Sequence, residues 1–143
     1  MPEPHRRPLL ADRALEIRSK NAGPFWVTLE TFMEDAAGYA VAADDTFLNE
    51  RTIAGLYRVD PRQVRIFRIP ELNVVKISFP RPVPQAGLRD RDVHAGQHHV
   101  PLASLPIPDR HLGTFGTPGT PDTPGAPSTP GTPGAAGEEA DRA

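Results

Sequence analysis

The chain has 143 residues, a net charge of −2 and no cysteine. Without cysteine, disulfides, thiolate catalysis and cysteine-held zinc or iron–sulfur centres are excluded. The slightly acidic balance argues against a dedicated nucleic-acid binder, which presents a basic face.

Residues 1–11 hold three prolines and read as a flexible arm. The start is basic, but no apolar stretch follows, so it is not a secretory signal. No apolar run approaches the length that spans a bilayer. No membrane association and a cytoplasmic location are therefore expected. Asp12 to Arg18 alternates, with Leu15 and Ile17 on one side and Glu16 and Arg18 on the other. That pattern predicts a half-buried strand. A polar loop over 19–25 follows, with Gly23-Pro24 as its turn signal. Trp26 to Met33 again has period two, and Trp and Thr favour a strand. A helix is the competing reading, because Phe25, Leu29, Phe32 and Met33 also fall at helical spacing.

Glu34 to Ala43 is alanine-rich with acidic residues first, which predicts a short helix weakened by Gly38. Asp44-Asp45-Thr46 offers a cap for a better helix over Phe47 to Arg58, ended by Asp60-Pro61. Val64 to Ile69 predicts a strand. Its apolar side changes between Ile66 and Phe67, which predicts a bulge or burial on both sides. Pro70 to Asn73 makes a turn. Val75, Ile77 and Phe79 then alternate with Val74, Lys76 and Ser78 in the clearest strand of the chain. Pro80-Arg81-Pro82-Val83-Pro84 stops it.

Residues 85–112 carry few periodic cues, and a long irregular segment within a domain is usually functional. Val100 to Pro108 reads as an extended edge piece. From Gly116 to Pro133 the chain is six triplets ending in proline. Asp122 and Ser128 stand where collagen requires glycine, so the segment predicts coil and polyproline II. The domain is thus expected over 12–112 and a disordered tail over 113–143.

Three groups carry chemistry. Arg18, Ser19, Lys20 and Asn21 beside Gly23 can hold a carboxylate or phosphate; the alternative is a solvated turn. The run Asp90 to His99 places His94, His98 and His99 near two carboxylates, a donor set that suits zinc or iron. The alternative is a loop with one hydrogen-bonded histidine and the others solvated. Gly96 interrupts any helix there, and no metal ligand is assigned. One of these histidines can also serve as an acid or base near neutral pH. Arg81, between two prolines, either clamps an anion or is a surface arginine after a strand. Tyr39, Tyr57 and the phenylalanines read as core. No motif specifies a reaction or a cofactor.

The stretch Ile17 to Phe25, then Leu56-Tyr57, Lys76-Ile77, Pro80-Arg81-Pro82, Asp90-Arg91-Asp92-Val93 and Gly96 to Leu102, taken in order, resembles a small bacterial family of unknown function. That family is related to the ferredoxin-like C-terminal domain of AtuA-type (acyclic terpene utilisation) proteins. The resemblance spans about residues 12–108. It implies an α+β, ferredoxin-like fold with a small, mainly antiparallel sheet and two helices. It also implies a gene context beside an AtuA-type protein. Near its end the family pattern reads closer to Tyr-Gly-Ala-Gln-Gln-His-Ala-Pro-Leu. His94 therefore stands where tyrosine is usual and His98 where the second glutamine is usual, leaving Gln97 and His99 as motif positions.

These expectations combine as an accessory or binding subunit for a carboxylate or acyl-CoA-like substrate, acting with an AtuA-type partner. Ser19, Lys20 and Asn21 would contact the anion and Arg81 would assist, with Arg18 beside them. Asp90, Asp92, Gln97 and His99 would line the other side. Two alternatives stand beside it. One is a stand-alone lyase or hydratase, with His99 as acid–base and Lys20 stabilising an enolate. The other is a metal-binding protein.

Overall fold

The structure, a computed structural model, describes residues 6–114. Its elements in chain order are β1 (Ala14–Asn21), β2 (Trp26–Met33), α1 (Ala36–Ala42), α2 (Glu50–Tyr57), β3 (Arg65–Ile69), β4 (Val74–Pro80) and α3 (Val100–Ala103), with short 3-10 turns between them. The four strands form one antiparallel sheet in the order β1-β2-β4-β3. Two hairpins thus enclose α1 and α2. A ferredoxin-like domain instead runs β-α-β-β-α-β. The expectation holds for a small antiparallel α+β sheet, but the element order differs and a third, short helix is present.

One face of the sheet builds the core. Val27 and Leu29 of β2 and Val75, Ile77 and Phe79 of β4 are fully buried there, with Val41, Leu48 and Ile53 around the two helices. The strand reading of Trp26 to Met33 holds over the whole stretch, because alternate residues reach this core. Helix α1 is capped by Asp35, which accepts from the Gly38 N–H at 2.7 Å. A Cβ on Gly38 would lie 3.0 Å from the Arg13 carbonyl oxygen, so this glycine permits close approach of the helix to the chain before β1. Helix α2 is capped by Asn49, not by the Asp44–Thr46 stretch. It ends at Arg58, whose φ of 56° is left-handed. Phe47 and Leu48 sit ahead of the helix, in a turn whose Asp44 carbonyl accepts from both their N–H groups.

Strand β1 departs most from expectation. It extends to Asn21, because the Ala22 N–H donates to the Trp26 carbonyl and closes a short turn. Gly23 supplies that turn's positive φ of 80°. Ser19, Lys20 and Asn21 are therefore strand residues, not loop residues. A register shift between Ala14 and Glu16 displaces Leu15, which is 75% exposed rather than core-facing. Neither the bulge nor the two-sided burial expected in β3 is found: its pairing with β4 is regular, and Arg65 and Phe67 are exposed on its outer side. Phe67 simply faces away from the core.

Residues expected as an arm join the fold from Pro8 onward. Leu9 bridges Pro106, the Leu10 N–H donates to the Leu105 carbonyl, and the Ile107 N–H donates to the Pro8 carbonyl. The Leu10 side chain is wholly buried. Val100 to Pro108 is not an extended edge piece: it opens as helix α3, with only Pro106 bridging a strand-like neighbour. The tail expectation falls outside the described residues from 115 onward. Among the described residues no helix is long and apolar enough to cross a membrane.

Candidate functional site

Alternate residues of a strand point to opposite faces, and β1 divides the first motif accordingly. Ser19 and Asn21 turn to the core side, where residues 81–99 cover them. Arg18 and Lys20 turn to the other face.

On the core side the motif residues bond to one another. The Ser19 hydroxyl donates to the Ala95 carbonyl and accepts from the His99 N–H at 3.0 Å, with His99 Nδ1 at 3.4 Å. The Asn21 amide donates to the Val93 carbonyl at 2.6 Å. Arg81 is at the centre, with only 1% of its side chain exposed. Its guanidinium donates to the Asn21 side-chain oxygen, to Asp90 at 2.9 Å, to the Asp92 carbonyl at 3.1 Å and to the Val83 carbonyl at 3.0 Å. Asp90 also accepts from the N–H groups of Ala86 and Asp92. Those backbone donors and the Arg81 charge outweigh burial and hold its carboxyl below the usual range.

Asp92 organises the next turn. It accepts from the Gly96 and Gln97 N–H groups at 2.9 and 2.8 Å and pairs with His98 Nδ1 at 2.9 Å. Burial pushes its carboxyl up, but these partners outweigh burial, and the net shift is downward. Ala86 and Ala95 adopt positive φ, at 59° and 56°, conformations that neighbouring bonds must enforce in a residue with a Cβ. Gln97 contributes its backbone, while its side chain is exposed. His98 faces Asp92, His99 faces Ser19, and His94 is exposed. Among the described residues no three His, Asp or Glu side chains converge on a point where a metal would sit.

Tyr57 completes this side. Its ring packs on Phe79 with centroids 4.5 Å apart. Its hydroxyl donates to the His98 carbonyl at 2.6 Å and accepts from the Leu102 N–H at 3.3 Å. Burial raises its pKa, opposed in part by the Leu102 N–H, so the hydroxyl stays protonated. The sequence marks Tyr57 as core. It gives no sign of the hydroxyl's second role, because the partners lie 41 and 45 residues away. A hollow of about 220 Å³ opens over the Arg81–Asp90 pair, lined also by Arg89, Arg91 and His98. Arg89 and Arg91 are exposed, and neither forms an ion pair among the described residues.

The chain matches the profile of a domain of unknown function, DUF4387, over residues 10–106. It belongs to the DUF4387 family. No curated protein and no solved structure matches the chain.

On the other face of the DUF4387 sheet, Glu30 is only 8% exposed. Arg18 donates to it at 2.7 Å, and Lys20 and Lys76 lie 3.2 and 3.7 Å from its other oxygen. Burial pushes the Glu30 carboxyl up, but the bonds from Arg18 and Lys20 outweigh it, and the net shift is downward. Lys20 and His99, paired in the lyase expectation, therefore lie on opposite faces of one strand.

Proposed function

We propose that this DUF4387 domain is an accessory binding subunit, working in the cytoplasm with an AtuA-type protein on a carboxylate or acyl-CoA-like substrate. One observation carries the reading. The motif residues with chemical potential are engaged with one another, and the two that would form an acid–base and enolate-stabilising pair point to opposite faces. A domain built this way holds a shape. Arg81, Asp90, Asp92 and Ser19 fix residues 83–99 in place. The hollow beside them keeps Arg89 and Arg91 available for an anion, which guanidinium groups bind through paired N–H donors. The relation to the AtuA-type domain rests on the motif residues rather than on the order of strands and helices.

Co-expression with the neighbouring AtuA-type protein, followed by size exclusion, tests the reading. A stable complex, together with an isolated domain that turns over no carboxylate or acyl-CoA substrate, is expected. A domain that elutes alone in the presence of that protein would overturn it.

A further inference from the structure

The sheet face opposite the helices has no covering element among the described residues. Its strands bring together Trp26 of β2, Phe67 and Arg65 of β3, Lys76 of β4, and Arg18 and Lys20 of β1. Phe67 is 49% exposed, unusual for a phenylalanine in a strand. Two shallow hollows, of about 290 and 610 Å³, flank its ring; Trp26 and Arg65 line the first, and Lys76 lines the second. The Arg65 guanidinium lies 5.7 Å from the Trp26 ring centre, and that of Arg18 lies 4.9 Å from Phe32. Stacking of this kind holds flat, charged side chains against aromatic rings and keeps a surface preformed.

Charge distinguishes among occupants. Arg18, Lys20, Arg65 and Lys76 oppose Glu16 and Glu30 on this face, a positive balance on a chain whose net charge is −2. Two copies placed face to face would repel. A polyphosphate chain would have to cross the central Glu30 carboxylate, which already draws three of the cations inward. A protein surface meets both demands: carboxylates for the rim of lysines and arginines, and an apolar side chain for the hollow between Trp26, Arg65 and Phe67.

We infer that this open sheet face is the docking surface for an acidic protein partner that inserts an apolar side chain beside Phe67. The inference deepens the reading of the domain as a subunit and rests on it. It places the partner on the opposite side of the sheet from the Arg89–Arg91 hollow, so the two can be occupied together.

Trp26 is the only tryptophan of the chain, so its emission reports on this face. The full chain is titrated with a short tryptophan-free peptide rich in glutamate with one leucine, and separately with oligothymidylate. Its binding to the AtuA-type protein is measured by calorimetry. Lys20→Thr/Lys76→Thr and Phe67→Thr are compared with wild type, with circular dichroism confirming their fold.

A peptide-induced change in Trp26 emission, weakened about tenfold by the lysine pair and by added salt, is expected. The same loss is expected against the AtuA-type protein. If that protein binds both variants as tightly as wild type, the docking face is overturned while the subunit reading stands. If it does not bind wild type but the peptide does, the subunit reading fails and the face stands. Silence of Trp26 toward the peptide together with no calorimetric binding of the protein overturns the face, as does tighter binding of oligothymidylate than of peptide.

Discussion

Replacing Tyr57 by phenylalanine removes one oxygen and leaves the ring packed on Phe79. The His98 carbonyl loses a donor at 2.6 Å and the Leu102 N–H loses an acceptor at 3.3 Å. Leu102 is fully buried, so water cannot readily replace that acceptor. A buried backbone group left without a partner costs about 1–3 kcal/mol, more than the hydrogen bond itself contributes. For a domain of this size the loss corresponds to a fall in melting temperature of roughly 5–15 °C. Tyr57→Ala also opens a cavity against Phe79 and should cost about 3–5 kcal/mol. Thermal melts of the three proteins, with hydrogen exchange at the Leu102 amide, separate hydroxyl from ring. Faster exchange at Leu102 in Tyr57→Phe is expected. An unchanged melting temperature with unchanged exchange would refute the claim that the hydroxyl ties the 95–102 segment to α2.

Acid should loosen the same region. Asp90 and Asp92 titrate below their unfolded values, so the stability they contribute is present above about pH 4 and is lost as pH falls through their lower folded values; a melting temperature flat from pH 3 to 7 would contradict this. Arg81→Met leaves Asp90 without its cation and should destabilise more than Tyr57→Phe in the same melts. Two helical glycines should respond in opposite ways. Gly55→Ala meets nothing within 4 Å and should stabilise by about 0.5–1 kcal/mol. Gly38→Ala drives a methyl against the Arg13 carbonyl and should destabilise; urea titration of both variants gives the signs.

Much of the sheet was legible because its signals are local. Val75, Ile77 and Phe79 alternate with polar neighbours, and so do Val27 and Leu29, and both strands lie where the alternation places them. On the open face, Trp26, Phe32, Arg65, Phe67 and Lys76 are separate residues in the sequence, and only Arg18 and Lys20 stand together in one motif. Their union needs the strand order, which no local pattern contains. Ser19, Lys20 and Asn21 were misplaced because Gly23-Pro24 suggests a longer loop than the one closed by Ala22 and Trp26. That error of three residues joined side chains that the strand separates. Leu15 failed for a related reason: alternation holds only while register is kept, and a shift at Ala14 breaks it. The conformation of segment 83–99 has no local signal, since its order comes from Arg81, Asp90 and Asp92 rather than from any repeat.

The pairing of Leu9 with Pro106 and of Pro8 with Ile107 brings both ends of the described domain to one place. A chain closed in this way joins segments nearly a hundred residues apart, and such contacts are slow to form because the intervening loop must first be ordered. The clasp should therefore close late in folding. Trimming either end past it removes a fully buried core side chain, Leu10 from one side or Ile107 from the other. The adjacency also makes the domain a candidate for circular permutation, with the old ends joined by a short linker and a new opening cut at the Pro70–Asn73 turn.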